Sequence, residues 1–294
     1  MVFLLIPLVC ILASSKITLQ SKFSKTANTG ISGNVLFNGI MFFTVALLFF
    51  PFIIKNEVTY LTCVHGFIMG VLSVAFQIFY ICAFSKGKMT LTVIINNFSM
   101  LLPMAVSFVL YNEEFGILKI IGTILALISF VFSVAKGKSN TGFEASNKSN
   151  FQWFVFTMLV FLSNGLISVN QKVYSMTTQE LQVFEFVAVA YITAAVLSFL
   201  ILGVMRLGSK NVTYARQPKT IVSACFVGVL LGIFQCLNTY AASVIDGTIL
   251  YSSYNCGVSL LSTVTGRILF NEKLSVKQSA SVLIGIVAIV LLCL

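Results

Sequence analysis

The chain has 294 residues, of which 58% are apolar and 9% are charged. Soluble domains carry about 25% charged residues, so this chain has too little polar surface to coat a water-soluble globule. The formal net charge is +10, but the basic residues lie in short connections between apolar segments. We therefore expect an integral membrane protein in contact with the lipid bilayer, and no nucleic-acid partner.

Ten segments are long and apolar enough to cross a bilayer. Continuous apolar runs of this length are typical of helices and not of membrane strands, which alternate between apolar and polar residues. The sequence therefore predicts an all-α integral membrane fold with ten transmembrane helices. The segments are 2–20, 34–54, 62–84, 89–111, 116–135, 151–171, 182–204, 219–241, 248–270 and 276–294.

The two halves of the chain resemble one another. The segment GVLSVAFQ at 70–77 aligns with GVLLGIFQ at 228–235 at an offset of 158, with five of eight positions identical. At an offset of 159, Asn96 aligns with Asn255. Because five spans per half is an odd number, the second half must enter the membrane in the opposite orientation. We therefore predict two inverted five-helix repeats, 1–136 and 151–294, joined by a polar linker at 137–150.

Each half also carries a short charged turn before its last helix. The turns are Asn112-Glu113-Glu114-Phe115 and Asn271-Glu272-Lys273-Leu274. With the duplicated five-helix pattern, they resemble the ten-span, EamA-type members of the drug/metabolite transporter superfamily over nearly the whole chain. The resemblance implies a secondary transporter, in most members an exporter, of amino acids, other metabolites or drugs.

The first span also resembles that of the small multidrug resistance proteins, through Ile11-Leu12-Ala13 and Lys22-Phe23-Ser24. Those proteins carry a proton-coupling glutamate directly after the Ile-Leu-Ala stretch. Ser14 stands at that position here, and Asn164 is its counterpart at an offset of 150. This departure argues against carboxylate-coupled antiport of cationic drugs.

Polar side chains inside the predicted spans indicate a solute site. An unpaired amide in contact with lipid costs several kcal/mol, so these groups should face a central cavity. We expect substrate-binding roles for Ser14, Gln77, Tyr80, Asn96, Asn164, Gln235, Tyr251 and Asn255. Asn96 and Asn255 should lie near the centre. Hydrogen bonding between helices is the alternative interpretation of each group.

The first and sixth spans each present polar residues on one helical face. Glycine pairs at helical spacing predict close helix packing in the third and eighth spans. The polar residues are Ser14, Thr18 and Ser21 in the first span and Asn164, Ser168 and Gln171 in the sixth, and the glycines are Gly66/Gly70 and Gly228/Gly232.

Charged residues within the spans are few. Glu185 is the one plausible intramembrane carboxylate and the candidate for proton coupling. Lys16 and Arg267 are interpreted as extending to the nearest membrane surface. His65 is the only histidine and no C-x-x-C pair occurs, so we expect no metal site, no cofactor and no catalytic residue.

Three classes of function remain at this stage. We expect a secondary transporter, with a membrane-embedded enzyme acting on a lipid-linked substrate or a passive channel as alternatives. A site of amides, hydroxyls and tyrosines suits a neutral or zwitterionic small molecule such as an amino acid. The oligomeric state and the identity of any coupling ion cannot be derived from these residues.

The basic residues also predict an orientation. With the spans above, one side holds 13 lysines and arginines and the other holds only Lys55, Lys119 and Lys172. Basic loops remain cytoplasmic, so we predict a multi-pass protein of the plasma membrane with both termini outside. The family resemblance implies the reverse, with both termini inside.

Overall fold

The computed structural model describes residues 4–27, 30–86, 89–111, 116–134, 147–178, 180–208, 218–270 and 276–293. These residues form helices and short connections, with no strand among them. In each of the ten predicted segments, most of the described residues are helical. The helices are α1 Leu5–Ala27, α2 Gly30–Lys55, α3 Tyr60–Lys86, α4 Met89–Phe98, α5 Leu101–Tyr111, α6 Ile117–Val134, α7 Asn147–Thr177, α8 Val183–Gly208, α9 Pro218–Val244, α10 Gly247–Phe270 and α11 Val276–Cys293.

Five of the described helices contain a segment long and apolar enough to cross a membrane. The segments are Ser32–Lys55, Tyr60–Ala83, Phe151–Thr177, Val183–Leu207 and Thr220–Val244. On α8, Val196, Leu200 and Val204 recur at helical spacing and are 52%, 60% and 70% exposed. An exposed apolar stripe of this length is suited to lipid contact. The expected membrane-type, all-helical fold is thus confirmed at this level.

The fourth predicted span, 89–111, is not one continuous helix. It is divided into α4 and α5 by a turn at Ser99 and Met100, where the Leu102 amide bonds to the Ser99 carbonyl oxygen at 3.1 Å. Pro103 lies in the first turn of α5. Proline has no amide hydrogen for the preceding turn and its ring displaces the carbonyl four residues earlier, so it breaks a helix here. The prediction of a continuous span at 89–111 was therefore wrong.

The third helix approaches the eighth closely at a glycine. A Cβ placed on Gly70 would lie 2.7 Å from the Cβ of Thr193 and would collide with the carbonyl oxygen of Ala190. The Thr193 hydroxyl donates to the Val189 carbonyl oxygen at 2.9 Å. Only glycine lets α3 pack this closely against α8.

The ninth helix approaches the second helix in the same way. A Cβ on Gly228 would lie 2.7 Å from the carbonyl oxygen of Met41 and 2.9 Å from the Cβ of Thr44. The Thr44 hydroxyl donates to the Ile40 carbonyl oxygen at 2.9 Å. The close packing predicted from these glycines is confirmed in both spans.

Several other pairs of helices pack against each other. Helix α1 packs against α9 and α10, and α7 packs against α3, α4 and α5. Helix α2 packs against α8, and α6 packs against α11. The buried apolar residues form two clusters, one centred on α2, α3, α8 and α9 and the other on α5, α6, α10 and α11. Helix α1 contributes Val9 and Ala13 to the first cluster and Ile6 and Cys10 to the second, so it joins the two.

Candidate functional site

The polar face predicted on the sixth span is directed into the protein. The Asn164 amide of α7 donates to the Ser99 hydroxyl at 2.7 Å, at the turn between α4 and α5. One turn further on, the Ser168 carbonyl oxygen accepts from the Tyr251 hydroxyl of α10 at 2.9 Å. Helix α7 is therefore bonded to the turn between α4 and α5 through Asn164, and to α10 through Ser168 and Tyr251. Of the equivalent face on α1, Ser21 has no described side chain.

Gln171, the last residue of this face, belongs to a buried amide network. Its Nε2 donates to Gln235 Oε1 at 3.3 Å and to the Thr239 hydroxyl at 3.2 Å. Its Oε1 accepts from Asn238 at 3.0 Å, and Gln235 donates to the Tyr191 hydroxyl at 2.9 Å. Gln235 is 6% exposed. The interactions of Gln235 are therefore hydrogen bonds between helices, as in the alternative interpretation.

A second chain of amides joins the first three helices. Gln20 Nε2 of α1 donates to Asn38 Oδ1 of α2 at 3.4 Å, and Asn38 Nδ2 donates to Gln77 Oε1 of α3 at 3.5 Å. We refer to Gln20, Asn38 and Gln77 as the amide chain. Tyr80 lies one turn beyond Gln77, with its ring centroid 5.4 Å from that of Phe76. Asn38 was not predicted, although an amide within the apolar run 34–54 was a signal for it.

Several buried oxygens lack a hydrogen-bond partner among the described residues. They include Ser14 Oγ and Asn96 Oδ1. Ser14 is 2% exposed, and Asn96 lies three residues before the turn that separates α4 and α5. The side-chain amide of Asn255 donates to the Tyr251 carbonyl oxygen in its own helix at 2.9 Å, and no described hydrogen bond joins Asn255 to Asn96. Buried unpaired acceptors of this kind are suited to a donor from a bound molecule.

One end of the helix bundle is closed by hydrogen bonds between two connections. Gln182, before α8, donates to the Glu57 carbonyl oxygen at 2.8 Å. Its Oε1 accepts from the Thr59 amide and the Thr62 hydroxyl, both at 3.0 Å. Tyr174 bonds to the Thr62 hydroxyl at 3.0 Å and donates to the Gln182 carbonyl oxygen at 3.1 Å. We call this set the Gln182 closure.

Glu185 lies at the same end and not in mid-membrane. It is in the first turn of α8, is 5% exposed and accepts a hydrogen bond from the Asn56 amide. A cavity of about 880 Å³ opens beside it. The cavity is lined by Lys55, Asn56, Glu57, Glu180, Leu181, Gln182, Val183, Phe184, Glu185, Cys236, Leu237 and Tyr240.

Two lysines differ from the sequence interpretation. Lys172 was placed in a connection, but α7 extends to Thr177, and Lys172 is 2% exposed. Its Nζ donates to the carbonyl oxygens of Ala242 and Ile245 at the end of α9, both at 3.2 Å. Lys16 was expected to reach the nearest membrane surface, but its Nζ lies 5.9 Å from the centroid of the Phe234 ring of α9.

The remaining predicted features can be placed only in part. His65 is paired twice with Asn170, through Nδ1 and Oδ1 at 2.8 Å and through its own carbonyl oxygen at 2.9 Å. The side chain of Arg267 and both charged turns, 112–115 and 271–274, lie outside the described residues. The linker predicted at 137–150 is described only from 147, where α7 begins.

Comparison with known proteins establishes the fold. No family model matches the chain. An uncharacterized protein of Haemophilus influenzae (strain Rd) is 22% identical over 183 residues, which cover 60% of this chain and 57% of that protein. The chain therefore matches little more than half the length of this curated relative. The crystal structure of another protein, described without a function, matches 98% of this chain and 94% of its own with a TM-score of 0.76 at 18% identity.

Proposed function

We propose that the chain is a secondary transporter of a small organic solute, in the manner of the EamA-type drug/metabolite transporters. Ten membrane spans form two inverted five-helix repeats, and α4 and α5 together make one of the spans. The solute is a neutral or zwitterionic metabolite such as an amino acid, and the chain moves it by alternating access of the two repeats. The resemblance of the charged turns and the duplicated helix pattern supports this family.

The reciprocal glycine contacts are the observation that carries the proposal. Gly70 and Gly228 are separated by 158 residues, and the threonines they contact, Thr193 and Thr44, are separated by 149. Exchanging the two halves of the chain therefore converts the α3–α8 contact into the α9–α2 contact. A two-fold axis that relates the halves would account for both contacts. Inverted repeats of this kind are characteristic of secondary transporters.

The broken helix supports a solute site between the repeats. Discontinuous helices in transporters supply backbone and side-chain groups to the substrate near the middle of the membrane. The turn at Ser99 lies beside Asn96, whose Oδ1 is unpaired, and Asn164 bonds to Ser99 itself. An amine or hydroxyl of the solute can donate to Asn96 Oδ1 without displacing a partner that the described residues provide.

The Gln182 closure supports movement between two states. Each of its hydrogen bonds contributes only about 1 kcal/mol net, so the whole set can open at a cost that solute binding offsets. The carboxylate of Glu185 lies beside the closure and remains our candidate for coupling the movement to a proton. A change of charge at Glu185 would alter its bond to Asn56 at this same end of the molecule.

Uptake by the purified chain in proteoliposomes tests the proposal. Amino acids, nucleobases and cationic drugs are screened with and without a pH gradient, against liposomes lacking protein. We expect uptake of at least one amino acid or related solute, with loss of uptake in Asn96→Leu and normal uptake in Ser107→Ala. Ser107 is the control because its Oγ is also buried and has no described partner, but it lies in the middle of α5, away from the turn at Ser99. Glu185→Gln should abolish any dependence on the pH gradient.

Failure of the wild-type chain to move any solute of the screen above the protein-free rate would contradict the proposed transport. Equal uptake by Asn96→Leu and the wild type would instead remove Asn96 from the site.

A further inference from the structure

The side chain of Lys16 brings a cationic group into the middle of the helix bundle. Lys16 is the twelfth of the 23 residues of α1, and its Nζ lies 5.9 Å from the centroid of the Phe234 ring. Phe234 is 7% exposed and belongs to the apolar segment Thr220–Val244 of α9. Lys16 is half-buried, and its ammonium group lies beside a buried ring near the middle of α9.

Among the residues that the structure describes, Lys16 makes no ion pair, and the one salt bridge joins Lys119 to Asp246. The other described acidic residues are Glu57 and Glu180, in connections between helices, and Glu185, in the first turn of α8. The face of an aromatic ring attracts a cation but does not neutralise it. A charge inside a membrane bundle is expensive without a partner, so an anionic group of a bound solute would stabilise the ammonium of Lys16.

The groups around Lys16 are suited to an organic anion. The Phe234 ring stacks with that of Tyr254 at a centroid distance of 5.7 Å, which gives an aromatic surface beside the ammonium. Gln20 follows Lys16 by one helical turn and begins the amide chain to Asn38 and Gln77. Helix α1 thus carries a charged group that lies against the aromatic pair of α9 and α10 and, one turn further on, an amide that bonds towards α2 and α3.

We propose that the ammonium group of Lys16 binds the carboxylate of the transported solute, beside the Phe234–Tyr254 pair and the amide chain. This inference rests on the proposed transport function and adds that the solute carries a carboxylate, which also admits acids that have no amine. One ammonium balances one negative charge, and a phosphate monoester carries about −1.5 to −2 at neutral pH. A carboxylate is therefore the better match. It can belong to a zwitterionic amino acid or to an acid without an amine.

Ligand binding to the purified chain in detergent tests the inference without requiring transport. The probes form three sets, which have a methyl, an isobutyl or a benzyl side chain. Each set contains the amino acid, the same compound with its carboxylate replaced by an amide, and the carboxylic acid that lacks the amine. Thermal stabilisation is measured for the wild type, Lys16→Met, Lys16→Arg and the control Lys277→Met. Lys277 is exposed in the first turn of α11, so its variant makes the same change of charge elsewhere.

We expect carboxylate-bearing probes of at least one set to stabilise the wild type and Lys277→Met. Their affinity should fall roughly 10- to 100-fold in Lys16→Met, as for a lost hydrogen bond to a charged group, and should be partly retained in Lys16→Arg. Lys16→Met should fold, because it replaces an interior charge by an apolar side chain of similar length. Binding of the amides as strongly as the acids, unchanged carboxylate binding in Lys16→Met, or no stabilisation by any carboxylate would overturn the inference. Comparing the binding of each amino acid with that of the acid lacking the amine shows which of these two kinds of carboxylate the site prefers.

Uptake by the same variants separates this inference from the proposed transport. Carboxylate binding that depends on Lys16 but occurs without uptake supports the site and contradicts the transporter. Uptake of a solute that lacks a carboxylate, at equal rates in the wild type and Lys16→Met, supports the transporter and overturns the site.

Discussion

Two asparagines of the bundle have opposite hydrogen-bonding environments. Asn170 is 7% exposed and makes two hydrogen bonds with His65, one through its oxygen and one through its nitrogen. Asn96 has a buried Oδ1 with no partner among the described residues. The first arrangement contributes to stability, whereas the second leaves an acceptor for a bound molecule.

Replacing each asparagine by leucine should separate the two roles. Asn170→Leu removes the partner of His65 Nδ1 and the added hydrogen bond to the His65 carbonyl oxygen, so we expect it to lower the free energy of unfolding by about 1–3 kcal/mol. Asn96→Leu removes no described internal bond of its Oδ1, so its thermal stability should equal or exceed that of the wild type. Thermal unfolding in detergent measures both variants. A large loss of stability in Asn96→Leu would indicate a structural role instead.

The sequence identified polar residues but could not determine what each one contacts. The stripe on α7 is directed into the protein because Asn164, Ser168 and Gln171 lie on one helical face, and a polar face avoids lipid. Lys16 was misinterpreted because a long basic side chain can reach either a surface or the interior, and only the position of Phe234 decides between them. Lys172 was misplaced because a bilayer needs only about 20 helical residues, whereas α7 has 31.

At the scale of the helices, glycine contacts determine how closely neighbours approach. Gly70→Ala and Gly228→Ala should each lower the free energy of unfolding by about 1–3 kcal/mol, since the new Cβ meets a backbone carbonyl oxygen that cannot move aside cheaply. Gly203→Ala in α8 is the matched control, because nothing lies within 4 Å of its added Cβ. Alanine is also the better helix former, so the control should be neutral or slightly stabilising.

These three variants are compared by thermal unfolding in one detergent. Similar losses in Gly70→Ala and Gly228→Ala fit equivalent contacts in the two halves. A loss at only one glycine would argue against a two-fold relation between them.

The division of α4 from α5 shows where helix prediction failed. Hydropathy alone predicts one span at 89–111, because the turn at Ser99 and Met100 is only two residues long and both flanking segments are apolar. Pro103 was the available signal, since proline disrupts the preceding helical turn. At an offset of 159 its counterpart is Ser262, and α10 runs unbroken through that position.

At the scale of the whole molecule, the basic residues determine the expected orientation. Lys172 is buried in α7, so the less basic side retains only Lys55 and Lys119 of the three lysines assigned to it. Most of the residues on the more basic side lie outside the described side chains. The predicted orientation therefore rests on the basic residues assigned from the predicted spans. From these residues we expect the termini to lie outside the cell.

Single cysteines test this orientation in a chain whose seven native cysteines are replaced. Tyr60 is 81% exposed at the start of α3, and Asn147 begins α7 at the opposite end of the bundle. On intact cells an impermeant thiol reagent should label Tyr60→Cys and should not label Asn147→Cys. The reverse pattern would place both termini inside, as the family resemblance implies.

We expect one site between the repeats to open alternately to each side of the membrane. The most direct measurement is the labelling of Asn96→Cys, in the same cysteine-free chain, by an impermeant reagent added to one face or the other. Tyr60→Cys and Asn147→Cys serve as controls, because each should react from a single face. We expect Asn96→Cys to react from both faces, more slowly when a transported solute is present. Labelling from one face alone under every condition, with or without the solute, would contradict alternating access.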